Sequence, residues 1–291
     1  MKRLFALWAI ILLLLPGCTA QQESATIAAT TRPVYEFTLR LCEGTDITVT
    51  RLVTEPVSCL HDYSLNVNQV RAVESAQLVI ISGAGLEEFM EDLLHDQDVI
   101  DCSVDVPLAE CAEEHDHDHD HDHHHHETDS HIWLSPTNAK IMAANICNGL
   151  ITRFPQYSAT FKTNLTELLA DLDELQTYGE QTLSNLSYRE LVTFHDGFSY
   201  FADAFDLTIL EAVEEESGSE ASAQELKHLI GIVREHKLPA IFTETNGSTS
   251  AASIIARETG VAIGTLDMAM GEKSYFEAMY HNIDTIKEVL G

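Results

Sequence analysis

After an opening apolar run, Leu4 to Leu15, the chain alternates short apolar stretches with longer ones of helical periodicity. Thr26 to Thr31 reads as a first strand, and Pro33 to Leu41 fits either strand or helix. Ile47 to Val53 is rich in β-branched residues, as a strand requires. Asn66 with Gln69 three residues on resembles a capping box, and Val67, Val70, Val73 and Ala76 follow at helical spacing. Leu78-Val79-Ile80-Ile81 is continuously apolar, as expected of a parallel strand buried on both faces. A helix is expected over 85–95, a strand near 99–104 and a helix from Thr137 to Thr152.

Pro155 then opens a second helical run, a position where Pro is tolerated. From Gln156 to Ser184 the chain carries Phe161, Leu165, Leu168, Leu169, Leu172 and Leu175 at spacings of three and four. A helix over 156–184 would be about 43 Å long at 1.5 Å per residue, enough for a stiff strut; the alternative is an ordinary core helix broken near Gly179. Strand–helix units resume beyond it. Strands are expected at Glu190–Phe194, Thr208–Val213, Ala240–Thr243 and Val261–Leu266, with helices at 198–206, 222–236, 249–258 (closed by Gly260) and Ser274–Leu290. Alternating strands and helices on both sides of one long helix imply two α/β lobes with parallel sheets. The expected division is residues 26–155, a linking helix 156–184, and residues 185–291. In such sheets ligands sit at the carboxyl ends of strands, and His61, His195 and Asp267 all lie just after one.

Charge and targeting narrow the class. Sixteen Lys and Arg face 47 Asp and Glu, a formal net charge of −31, which repels nucleic acid and attracts cations. Lys2 and Arg3 precede the first apolar run, and Leu15-Pro16-Gly17-Cys18 closes it. Residues 1–17 read as an export signal, too short for a membrane span of about 20 apolar residues. The ending resembles a bacterial lipobox, with Cys18 lipidated and residues 18–25 a tether on the outer face of the cytoplasmic membrane. An exported chain can form disulfides: Cys42 with Cys59 and Cys102 with Cys111 are open pairings, and Cys147 is expected as a buried free thiol. No CxxC pair exists, which argues against a thiolate zinc site.

Histidine carries the candidate chemistry. His61, His131 and His195 each stand where an apolar run gives way to a helical pattern, and three imidazoles with Asp267 or a water would meet the tetrahedral demand of zinc. Asp62, Asp196 and Glu244 are candidates to accept imidazole N–H bonds and fix ring orientation; as plain helix caps they would need no metal. His95, His228, His236 and His281 sit on polar stretches and read as solvated. Residues 113–129 form a low-complexity run holding His115, His117, His119, His121, His123, His124, His125 and His126, eight of the fifteen histidines. Nothing in it can bury an apolar face, so a disordered loop with weak, multiple metal binding is expected.

Taken together, His61-Asp62-Tyr63-Ser64-Leu65, the His-rich insertion, His131-Ile132-Trp133-Leu134-Ser135-Pro136, Phe194-His195-Asp196-Gly197-Phe198-Ser199-Tyr200-Phe201 and Gly264-Thr265-Leu266-Asp267 resemble the zinc-binding solute-binding proteins of bacterial ABC importers, family 9 of solute-binding proteins. The resemblance spans nearly the whole mature chain. It implies a monomeric receptor with metal between two lobes joined by a rigid helix, and delivery of that metal to a membrane permease. It implies His61, His131 and His195 as ligands, and Asp267 in the place of the acidic fourth ligand of several members. Some zinc members carry an acid just before the first histidine, where Leu60 stands here, which keeps water open as fourth donor. Manganese members typically have Glu where His195 stands, and a third imidazole suits zinc better. A manganese-binding or adhesin-type member is the alternative. A three-histidine zinc hydrolase would need a base beside the metal-bound water, for which only Glu244 offers itself, and the chain has no HExxH motif.

Overall fold

The chain folds as β1 (Thr26–Ala29), α1 (Arg32–Leu41), β2 (Thr48–Arg51), α2 (Val67–Ser75), β3 (Leu78–Ile81), α3 (Glu91–Leu94), β4 (Val99–Asp101), α4 (Pro136–Arg153), α5 (Ser158–Leu183), β5 (Glu190–Thr193), α6 (Ser199–Ala204), β6 (Thr208–Ala212), α7 (Ala223–His236), β7 (Ala240–Glu244), α8 (Ser250–Thr259), β8 (Ala262–Leu266) and α9 (Tyr275–Leu290). This computed structural model describes residues 26–57, 60, 63–109, 128–213 and 221–291. Cys18, Cys59, His61, Asp62, Cys111 and the eight loop histidines lie outside the described residues. Among those described, no helix is long and apolar enough to cross a membrane.

Two four-stranded sheets form, ordered β2-β1-β3-β4 and β6-β5-β7-β8. Every strand pair is parallel. The two halves therefore repeat one strand order, and the fold is the two-lobed α/β architecture expected. The lobes share one apolar core: Phe37 of α1, Trp133, Phe161 of α5, Phe201 of α6 and Tyr275 of α9 are fully buried in it. Each sheet covers its other face separately. Ala28, Val79 and Met90 pack with Val73 of α2, and Val192 and Ile241 pack with Leu229, Val233 and Ile255 of α7 and α8.

The long helix is α5, 26 residues or about 39 Å, preceded by a 3-10 turn at Pro155–Tyr157. Its first half is tied to one lobe: Asn164 Nδ2 donates to the carbonyls of Leu41 and Glu43, both at 2.9 Å. Its second half is tied to the other, where Tyr178 OH donates to Asp284 at 2.6 Å. It does not break at Gly179, where the missing side chain leaves room for the Phe205 ring.

One local expectation is corrected, and readings left open are decided. Residues 33–41 are helix, since Thr31 caps the amide of Val34, Pro33 fits the first turn, and Val34, Phe37 and Leu41 fall on the core face. The helix expected over 85–95 is only a 3-10 turn at Glu88–Met90 followed by the single turn α3. The backbone of Gly83, Ala84 and Gly85 is left-handed, and Glu87 turns inward. Cys42 and Cys102 are free buried thiols, while Cys59 and Cys111, the partners left open for them, lie outside the described residues. Cys42 and Cys102 both point into the core, and burial pushes the Cys42 thiol up to about 12. Cys147 is the buried free thiol expected of it.

Candidate metal centre

His131 closes the segment ahead of a 3-10 turn, Ile132–Leu134, whose three side chains are fully buried. That packing fixes the backbone, and the imidazole itself is only 4% exposed. Asp129 fixes the ring. Its Oδ1 accepts from the backbone N–H of His131 and from ring Nδ1, both at 2.9 Å. A carboxylate can only accept, so Nδ1 carries the proton and Nε2 presents its lone pair.

That lone pair meets the other lobe. His195 follows β5, whose end is held by the Phe194 amide on the Phe242 carbonyl at 2.9 Å. The two Nε2 atoms are 3.3 Å apart, with the rings edge to face. Two imidazole nitrogens on one tetrahedral zinc, bonded at 2.0–2.1 Å, stand about 3.3–3.4 Å apart. The observed span therefore fits a shared zinc ion. Around the pair, Trp133 lies edge-on to His131 and donates its indole N–H to the Met268 carbonyl at 2.8 Å. Gly197 sits where a Cβ would come within 2.7 Å of His195 Cδ2 and Met268 Cε and 2.9 Å of His131 Cε1.

Of the remaining candidates, Asp196 is half-buried. Its carboxyl is raised by burial and then by the charge of Asp129, with His131 pulling the other way. Glu244 ends β7 and is 6% exposed, with Gly247 close against its side chain. Asp267 follows β8 and is 3% exposed. Its carboxylate accepts from the Ala269 amide at 2.9 Å and from Lys273 at 3.0 Å. Among the described residues no three His, Cys, Asp or Glu side chains gather as a metal-holding group. His61 falls outside those residues, but its flanks are fixed. Leu60 is 1% exposed, and the Tyr63 hydroxyl donates to Glu55 at 2.7 Å and accepts from Gln69 at 2.6 Å. His95, His228 and His236 are exposed and His281 half-buried, each beside a local acceptor.

Sequence reasoning missed Asp129, which it had placed at the end of the disordered loop. The residue is 4% exposed, with its amide on the Ala109 carbonyl and its carbonyl accepting from Tyr200 OH. The available signal was an Asp two residues before a histidine, hidden in a run full of both. Gly197 lies within the motif Phe194–Phe201, and nothing local in the sequence shows that both rings and Met268 crowd it.

Comparison with known proteins decides the family. The profile described as zinc-uptake complex component A, periplasmic (ZnuA), matches residues 27–289. The chain belongs to this family. As a ZnuA-family member it is a metal-binding solute receptor, not an enzyme, which removes the hydrolase alternative. A crystal structure of ZnuA superposes with a TM-score of 0.78 at 27% identity, covering 92% of this chain and all of that one. The zinc-binding lipoprotein AdcA of Streptococcus pneumoniae is 29% identical over 99% of this chain, which spans only 61% of that longer relative. The manganese-binding lipoprotein MntA of Halalkalibacterium halodurans is 26% identical over 77% of this chain and 75% of its own. A laminin-binding protein of Streptococcus agalactiae shares the fold, with a TM-score of 0.78 at 23% identity over 92% of this chain and 100% of that one.

Proposed function

We propose that this chain is an extracytoplasmic receptor that binds zinc at one tight site and passes it to the membrane permease of an ABC importer. One observation carries the reading: two imidazole Nε2 atoms from opposite lobes stand 3.3 Å apart, and a buried carboxylate orients one of them. His61 and Asp267 complete the ligand set, with Asp62, Asp196 and Glu244 as supporting carboxylates. The histidines from His115 to His126 gather metal near the cleft. Lipidated Cys18 anchors a monomer to the outer face of the cytoplasmic membrane, and the lobes 26–155 and 185–291 are held by the helix within 156–184. Zinc-binding relatives such as AdcA support the choice of metal. Manganese is the second reading, favoured by a manganese-binding relative and by the carboxylate of Asp267; an imidazole at position 195 counts against it.

The test is calorimetry on His195→Ala. Tight-site zinc affinity should fall at least about tenfold, roughly 1.4 kcal/mol. An unchanged constant sinks the proposal. Metal analysis of protein purified without added metal separates zinc from manganese.

A further inference from the structure

The carboxylate of Asp267, 4% exposed, already holds a cation. Lys273 Nζ lies 3.0 Å from Oδ2. Thr245 Oγ1 donates to the same oxygen at 3.4 Å, and the Ala269 amide donates to Oδ1 at 2.9 Å. The backbone beneath is clamped by fully buried Asn282 of α9, which accepts from the Asp267 amide at 2.7 Å and donates to its carbonyl at 2.8 Å. Asp267 is therefore fixed in place.

The backbone on either side of Lys273 is also held. The guanidinium of Arg32, on α1 of the first lobe, donates to the carbonyls of Gly271 and Glu272 at 2.7 and 2.9 Å. Two residues past the lysine, the Tyr275 amide donates to Glu36 of the same helix at 2.7 Å. The short segment carrying Lys273 is thus held at both ends from the opposite lobe. Acidic Glu272 and Glu277 stand nearby in a more open setting, yet the ammonium pairs with the buried carboxylate.

We propose that Lys273 is a specificity-determining residue, a tethered cation that competes with the cargo ion for Asp267. The inference rests on the reading of Asp267 as fourth donor. Three imidazoles satisfy most of the demand of zinc, which takes water as readily in fourth place. Manganese favours oxygen donors and gains less from imidazole, so it depends more on Asp267. A lysine on that carboxylate therefore penalises manganese more than zinc.

The test compares zinc and manganese affinities, by competition with a chelating indicator, for the full chain and for Lys273→Met, Lys273→Arg, Asp267→Asn and the Lys273→Met/Asp267→Asn double variant. Lys273→Met should tighten manganese binding about fivefold and zinc by no more than about twofold, the range one part-exposed ion pair supports. Lys273→Arg should restore the original ratio, and Lys273→Met should change neither metal once Asp267 is Asn. A ratio unmoved by Lys273→Met, or both metals weakened by it, overturns the inference. So does Asp267→Asn that leaves both affinities intact while His195→Ala weakens them; the imidazole centre then stands and the role of Lys273 falls. If His195→Ala also changes nothing, the metal centre itself is misread. Melting in chelator controls for folding and should move little, since Lys273 is 39% exposed.

Discussion

Replacing Asp129 with Asn isolates what orients the centre. One oxygen, Oδ1, takes both the backbone N–H and the ring Nδ1–H of His131 at 2.9 Å. Asn keeps one acceptor oxygen of similar size, so the shape survives while the charge is lost. A neutral acceptor holds the Nδ1 proton less firmly, and Nε2 becomes a weaker donor to a metal. Carboxylates that support a ligating histidine are typically worth ten- to a hundredfold in metal affinity, about 1.4–2.7 kcal/mol. Ala is a poorer probe, because it strands two buried donors at roughly 1–3 kcal/mol each and confuses affinity with folding. The assay is zinc titration against a chelator of known affinity near pH 7.5, beside melting in excess chelator. Asp129→Asn should bind zinc at least about tenfold more weakly while its metal-free melting point stays close to the parent. Parent-like affinity in a well-folded variant would show that Asp129 is only a structural cap on His131.

Other expectations follow from the same geometry. Gly197→Ala forces its new methyl against both imidazoles and Met268, so zinc affinity should drop by more than about tenfold; titration checks this, and unchanged affinity would mean that the rings have room to shift. Deleting 115–126 should lower zinc stoichiometry and leave melting in chelator nearly unchanged; a variant that fails to fold would make the loop structural. Burial raises the Glu87 carboxyl from 4.5 to about 7, against bonds from Thr30, Ser82 and Gly83 that pull it down. The neutral form is thus favoured in the folded chain, and stability from this group is full below about pH 4.5 and lost as pH rises through about 7, by roughly 3 kcal/mol. In denaturant unfolding with chelator, Glu87→Gln should gain on the parent across that window, and a pH-independent difference between the two refutes it.

Much of the fold was legible because its signals are local. The Asn66–Gln69 capping box forms as written, Leu78–Ile81 is a buried parallel strand, and Gly260 closes α8 in the left-handed conformation. The candidate histidines were visible for a related reason: His195 falls at the end of a strand whose apolar run could be counted. Features that depend on distant partners were not visible. Asp129 matters because Ala109, Tyr200 and His131 surround it, and the His/Asp composition around it points to disorder. Glu87 reads as a surface helix residue until Thr30 is brought beside it. The spacing of Cys42 and Cys102 left disulfides open, and only the folded chain shows each as a free thiol in the core. Lys273 gains meaning only once α1 and the segment before α9 meet.

The repeated strand order explains why one lobe supplies the open side of the centre. In each sheet the chain reverses its winding between the two middle strands, the place where α/β sheets take ligands. In the first lobe that place lies between β1 and β3, and the chain fills it with its own carboxylate. Glu87 accepts from Thr30 Oγ1 at 2.6 Å and from the Ser82 and Gly83 amides at 2.7 and 2.9 Å, bridging the ends of both strands. In the second lobe the equivalent place lies between β5 and β7, where His195 and Glu244 stand. The first lobe instead contributes His131 from beyond its sheet, on the segment leading into α4. A ligand at this crevice therefore meets side chains of the second sheet from below and the Asp129–His131 unit from above. The shared core and α5 join the two lobes beside this crevice. The spacing of about 3.3 Å between the two ring nitrogens matches two donors on one tetrahedral zinc.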